Sequence, residues 1–94
     1  MKRQSSWLLY MLRCADGSLY TGITTDLARR VRQHGDGRAS KYTRSRRPLR
    51  LVYREDQPSH SAALKRELAI KALSRRDKQA LIASSRATPA RKTS

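Results

Sequence analysis

The sequence predicts an α+β domain, a small three-stranded antiparallel sheet flanked by helices. Three observations predict it. Two short apolar and aromatic runs, residues 7–14 and 19–23, flank Asp16-Gly17, a dipeptide suited to the positive φ that hairpin turns need. A third run, residues 49–53, alternates Leu49, Leu51 and Tyr53 against Arg50 and Val52, the period of a strand. Helical patterns with their own start and stop signals fill the remainder. With 94 residues, no repeat of solenoid length and no internal linker, these elements make one domain.

In the first strand Leu9 and Met11 alternate against Tyr10 and Leu12. After the second strand, Thr24 or Thr25 can cap a helix that has Asp26 in its first turn, where a carboxylate favours the helix dipole. Leu27, Val31 and His34 recur at i, i+4 and i+7 on one face, and Gly35 and Gly37 end the helix. Residues 38–47 (RASKYTRSRR) read as a short helix or an ordered loop stopped by Pro48. Pro58-Ser59-His60-Ser61 opens a second helix that runs to about Leu73. Ser74 with Asp77 resembles a capping box and starts a last short helix to Ile82. The expected organisation is a lead over residues 1–6, a domain over 7–83, and a basic tail over 84–94. That tail lacks large apolar residues and is expected to be disordered.

Charge narrows the function. Twenty-two Lys and Arg against seven Asp and Glu give a formal net charge of +15, self-repulsion that a polyanionic partner relieves. Arginine dominates, and its planar fork matches phosphate oxygens. A membrane surface fits less well, because neither long helix shows a bulky apolar face rimmed by cations. The apolar stretch after the basic start spans only Trp7 to Leu12, too short for a signal segment or a membrane span. The single Cys14 excludes an intramolecular disulfide and points to a reducing, cytoplasmic setting, with the nucleoid as the site if DNA is the partner. Neither a Gly-rich phosphate loop nor zinc-type Cys/His spacing is present, so no organic cofactor is expected.

A few residues carry the chemistry. Tyr10 and Tyr20 lie in strands joined by a hairpin and can be neighbours, although two tyrosines in strands need no function. Gly22 interrupts an apolar strand, which marks a bulge or a close approach to the backbone. Arg30 sits a residue round from the Leu27–Val31 stripe and can reach past the core edge, while Arg29 and Arg32 face solvent. His34 lies on the stripe itself, where a satisfied, half-buried histidine is the simpler reading. Glu67 falls between Leu64 and the Ala63–Ile70 side of its helix, where a carboxylate needs a partner. Lys71 at i+4 offers an ordinary surface pair. A hard divalent cation is the sharper alternative, since Mg²⁺ often uses one or two carboxylates and keeps its waters.

Taken together these positions resemble the GIY-YIG nuclease superfamily, and within it the small stand-alone bacterial members. Its two tripeptides are represented by Leu8-Leu9-Tyr10 and Tyr20-Thr21-Gly22. The motif arginine is matched by Arg30, a histidine four residues on by His34, and the glutamate on a later helix by Glu67. The resemblance implies hydrolysis of phosphodiester bonds in DNA with one divalent metal, Mg²⁺ or Mn²⁺, held by Glu67. It further implies that Arg30 neutralises transition-state charge, that Tyr10 or Tyr20 handles the attacking water, and that Gly22 lets backbone and substrate come close. The first tripeptide departs from the family's Gly-Ile, the second from its Ile. The chain has no asparagine to match the one some members use late in the domain. No separate DNA-binding domain is apparent, so Arg29, Arg32, Lys41, Arg44, Arg46 and Arg47 are the expected backbone contacts. Structure-selective rather than sequence-selective cleavage is expected, in a setting such as repair or recombination. The alternative is a non-catalytic module binding DNA or RNA on the same fold.

Overall fold

A run as apolar as Trp7–Leu12 belongs where both faces are covered, and it forms the middle strand of the sheet. A computed structural model describes residues 6–87. The elements are β1 (Trp7–Arg13), β2 (Leu19–Thr24), α1 (Leu27–Gly35), α2 (Lys41–Arg44), β3 (Arg50–Gln57), α3 (His60–Lys71) and α4 (Arg75–Ala87). The order is β2-β1-β3 with both pairings antiparallel, which is the predicted fold class. Leu9, Tyr10, Met11 and Leu12 are all essentially inaccessible. Side chains alternate across a strand. Leu9 and Met11 therefore share one face, where they pack with Ile70 of α3 and Ile82 of α4. Tyr10 points to the other face, toward His34 of α1.

The β1–β2 connection is longer than a two-residue turn. Cys14 donates to the Ser18 carbonyl at 2.9 Å, and Gly17 turns the chain at φ +87°. The Asp16 carboxylate accepts from the Ser18 amide at 3.0 Å and from its hydroxyl at 2.6 Å. The other oxygen of Asp16 takes Arg46 Nε at 3.1 Å, which ties the segment after α2 to the hairpin.

Several boundaries differ from the sequence expectation, each for a local reason. Asp26 itself caps α1, accepting from the Arg29 amide at 3.1 Å. Thr24 is still in the strand, and its hydroxyl accepts from the Asp26 amide. Residues 38–47 contain a single helical turn, α2, capped by Ser40. Strand β3 continues past Tyr53 through Arg54, Glu55 and Asp56, charges that end an apolar alternation but suit an edge strand. Glu55 is neutralised there by Arg66 of α3 at 2.7 Å and receives the Tyr53 hydroxyl. The Arg66 guanidinium and these hydrogen bonds outweigh desolvation and hold its carboxyl below the usual range. Helix α4 runs beyond Ile82; residues 84–87 of the expected tail are helical, and 88–94 lie outside the described residues.

Helix α3 carries Glu67, so its start matters to the site. Ser59 caps it, accepting from the Ala62 amide at 3.1 Å. Ser59→Ala should cost about 1 kcal/mol, lowering Tm by roughly 4–8 °C in a domain of this size. A calorimetric scan showing no change would mean that packing, not the cap, starts this helix.

Candidate active site

The site is built on Tyr10. Its hydroxyl lies 2.8 Å from His34 Nε2, and His34 Nδ1 lies 2.9 Å from Thr43 Oγ1. Thr43 Oγ1 in turn lies 2.9 Å from Ser40 Oγ. Strand β1, helix α1 and the one-turn α2 are thus joined by a buried polar chain, with Tyr10 1% and both His34 and Thr43 0% exposed.

Burial sets the protonation of this chain. Desolvation pushes the Tyr10 phenol up to about 12; Arg30 opposes the shift, while Tyr20 and Glu67 add to it. Desolvation also presses His34 down to about 4, helped by the Arg30 charge. Both groups are therefore neutral near pH 7. In the tautomer with a bare Nε2, the phenol donates to it and the Nδ1 proton is donated to Thr43. A stability consequence follows from the depressed imidazole. The unfolded chain, with its histidine near 6.5, takes up the proton first as pH falls. Stability present above pH 6.5 should therefore decline between pH 6.5 and 4, by on the order of 2–3 kcal/mol. Urea unfolding at pH 7, 5.5 and 4.5 should show this slope in wild type and lose it in His34→Gln. An equal slope in both would place the titration elsewhere.

Register answers how the tyrosines sit. Tyr10 pairs with Gly22 and Leu12 with Tyr20, so Tyr10 and Tyr20 share a face with ring centroids 6.4 Å apart. A Cβ on Gly22 would lie 2.5 Å from Tyr10 Oη and 2.7 Å from Cζ. The approach that Gly22 permits is, in this structure, that of the chain's own tyrosine ring. Tyr20 also meets His34 edge-on at 5.0 Å and stacks on Tyr42 of α2 at 6.1 Å.

Arg30 is half-buried beside this group and donates to Gln33 Oε1 at 3.0 Å. With Arg29, Gln33, Trp7 and the end of β2 it lines a cleft of about 320 Å³. Glu67 approaches from α3. Its side chain is only 16% exposed, and its charge is the smallest of the influences on the Tyr10 phenol. Lys71 Nζ sits 3.2 Å from Glu67 Oε2, the surface pair expected at i+4. No group of three or more His, Cys, Asp or Glu is gathered for a metal among the described residues. A largely shielded single carboxylate still fits a hard, largely hydrated cation such as Mg²⁺, and does not fit a closed zinc site.

The other predicted cations divide in two. Arg29 is at the cleft and Arg32 is exposed on the same helix. Lys41 and Arg44 line a second, basic cleft with Arg38. Arg46 and Arg47 are partly occupied within the fold. Arg46 pairs with Asp16 and lies 3.8 Å over the Tyr42 ring, and Arg47 donates to the carbonyls of Arg44 and Gly35. Sequence reasoning missed Tyr42, Thr43 and Gln33. The one available signal was Ser40, a good cap three residues before Thr43.

Residues 6–80 match the GIY-YIG catalytic domain, which is most of the chain. The chain belongs to the GIY-YIG family. It is 53% identical over 83 residues to a UPF0213 protein of Cupriavidus pinatubonensis, covering 88% of this chain and 92% of that protein. The solution NMR structure of a UPF0213 protein from Bacillus halodurans is 46% identical, covers 84% of each chain and superposes with a TM-score of 0.56. That of a protein from E. faecalis is 35% identical, covers 92% of each and gives 0.62. Within this GIY-YIG domain, Tyr10, Tyr20, Arg30 and His34 form one cluster, and Glu67 stands on α3 paired with Lys71. Among the described residues no helix is long and apolar enough to cross a membrane.

Proposed function

We propose that this GIY-YIG protein is a divalent-metal-dependent endonuclease that hydrolyses phosphodiester bonds in DNA, selecting structure rather than sequence. The observation that carries the reading is the clustering of Tyr10, Tyr20, Arg30 and His34 beside a cleft lined by Arg29 and Arg30, with the Glu67 carboxylate on α3 near enough to bear on the Tyr10 phenol. Glu67 would hold Mg²⁺ or Mn²⁺ in place of its Lys71 partner, with waters completing the shell. When bound, such an ion polarises the phosphate and stabilises the leaving oxygen.

The chain's own residues supply the rest. Arg30 keeps donors beyond the one given to Gln33, and can direct them at charge developing on the phosphate. Tyr10, held protonated near neutrality, is a hydrogen-bond donor and a fixed support, not a base. Tyr20, held by ring contacts and half-exposed, is the tyrosine that would face the attacking water. Arg29, Arg32, Lys41 and Arg44 would bind backbone phosphates without reading bases. Such cleavage suits repair or recombination, where DNA departs from regular duplex.

The second reading is a module that binds nucleic acid without cutting it. The Lys71–Glu67 pair favours it, because an ammonium already satisfies the carboxylate. A labelled panel of single strand, duplex, flap, fork, four-way junction and structured RNA separates the two. The nuclease reading expects Mg²⁺- or Mn²⁺-dependent cuts in one or more DNA forms. Tight, salt-sensitive binding with no cut in any member would select the binding module.

A further inference from the structure

We propose that the pocket between the Tyr20–Tyr42 pair and the lysines of α3 and α4 is a nucleobase subsite, so that the preferred substrate offers an unpaired base beside the cut. The proposal rests on the reading of DNA as substrate and deepens it. The pocket, about 330 Å³, is lined by Leu19, Tyr20, Thr21, Tyr42, Lys71 and Lys78. Its position is informative. Leu19, Tyr20 and Thr21 precede Gly22 in β2, whereas Ile23, Thr24 and Thr25 beyond it line the Arg29–Arg30 cleft. The two hollows therefore bracket Gly22 along a sheet-edge strand, with Tyr20 in the wall of the second. A polynucleotide strand following that edge would meet the arginine cleft on one side of the reacting phosphate and this pocket on the other.

The lining suits a base and its flanking phosphates. Tyr42 is 38% exposed although it is a large aromatic residue, and it is held in place rather than free. The Arg46 guanidinium lies over one face of its ring, 3.8 Å from the centroid, and Tyr20 lies against it at 6.1 Å with 28° between the planes. An entering base would pack on the exposed edge of this ordered pair or take the place of Arg46 on the ring, and such contact accepts any base at little cost in entropy. Lys78, with Lys71 whose ammonium also pairs with Glu67, brings positive charge to a wall that is otherwise apolar and aromatic, the pairing that single-strand sites use. A paired base inside a duplex cannot present its face here, whereas a base in a single strand, a flap or a frayed junction can.

The test is binding in EDTA, where no cleavage occurs, by fluorescence anisotropy at one fixed salt concentration. The probes are a labelled oligo-dT, the same backbone made abasic, and a duplex of equal length. Tyr42→Ala should weaken oligo-dT binding by about 5- to 150-fold. It should leave the abasic oligomer and the duplex within about twofold of wild type, because those retain only phosphate contacts. Tyr42→Trp should restore the affinity. In a Trp7→Phe background its emission should be quenched by oligo-dT and not by the abasic oligomer. Equal loss on all three probes, no loss on oligo-dT, or an unquenched tryptophan would each overturn the subsite. Should Tyr42→Ala fail to fold, the quenching result alone decides. A protein that quenches on oligo-dT but never cuts DNA would keep the subsite and refute the nuclease reading. One that cuts with metal yet shows no quenching would do the reverse.

Discussion

Glu67→Gln should lower metal-dependent cleavage by about 10²–10³-fold or more, the usual cost of removing a group that stabilises transition-state charge. The amide keeps the shape of the carboxylate, so the packing of α3 through Ala63 and Ile70 should survive. What disappears is the largely shielded carboxylate whose charge bears on the Tyr10 phenol. The same change frees Lys71 and removes one of the seven acidic side chains, taking the formal net charge from +15 to +16. DNA affinity measured in EDTA should therefore be equal or tighter than in wild type. Loss of cutting with retained binding is a pattern that general destabilisation does not produce. A variant that cuts at the wild-type rate would remove Glu67 from the mechanism.

Gly22→Ala is expected to have the next largest effect, through a single methyl group. The new Cβ would sit 2.5 Å from Tyr10 Oη and 3.0 Å from Cε1, so something must shift. Tyr10 is buried and its hydroxyl is held by His34, which leaves the ring little room to retreat. Overpacking of this kind costs about 1–3 kcal/mol in stability. Displacing the ring also disturbs Tyr20 and the Arg30 corner, and a misplacement near 1 Å can cost about 10²-fold in rate. Chemical denaturation and initial cleavage rates should both fall. The double variant Gly22→Ala/Tyr10→Phe should recover part of the stability, because the Cβ meets the hydroxyl oxygen most closely. Unchanged stability and rate in Gly22→Ala would mean that the ring is far less confined than the geometry indicates.

Much of this arrangement was legible because it follows from local periodicity. The apolar run of β1, the turn around Asp16-Gly17 and the face of α1 formed by Leu27, Val31 and His34 all appear where their spacing puts them. Helical spacing alone set Glu67 beside Ala63 and Ile70, and the side chain is indeed largely shielded there. The family resemblance was legible for a related reason, because its residues keep a fixed order along the chain. Pairing and tertiary contact were not legible in this way. Whether Tyr10 and Tyr20 share a face is decided by β1–β2 register, which no local signal specifies. His34 reads as half-buried on its own helix, but it is fully enclosed because Tyr10 and Thr43 arrive from β1 and α2. The charged end of β3 hid its length, since Glu55 becomes tolerable in a strand only once Arg66 of α3 reaches it. Tyr42 lies in a basic segment with no periodicity, and only the fold brings it to Tyr20.

Hydrolysis of phosphodiester bonds by this cluster should depend on a divalent cation. The most direct measurement is a time course of cleavage on one labelled branched or single-stranded DNA by the purified wild-type protein. Mg²⁺ is present first, then removed with EDTA, then restored. Product should accumulate, stop on chelation and resume on re-addition, with Glu67→Gln slower by about 10²-fold or more throughout. Product formation indifferent to EDTA, or equal in the variant, would contradict that dependence.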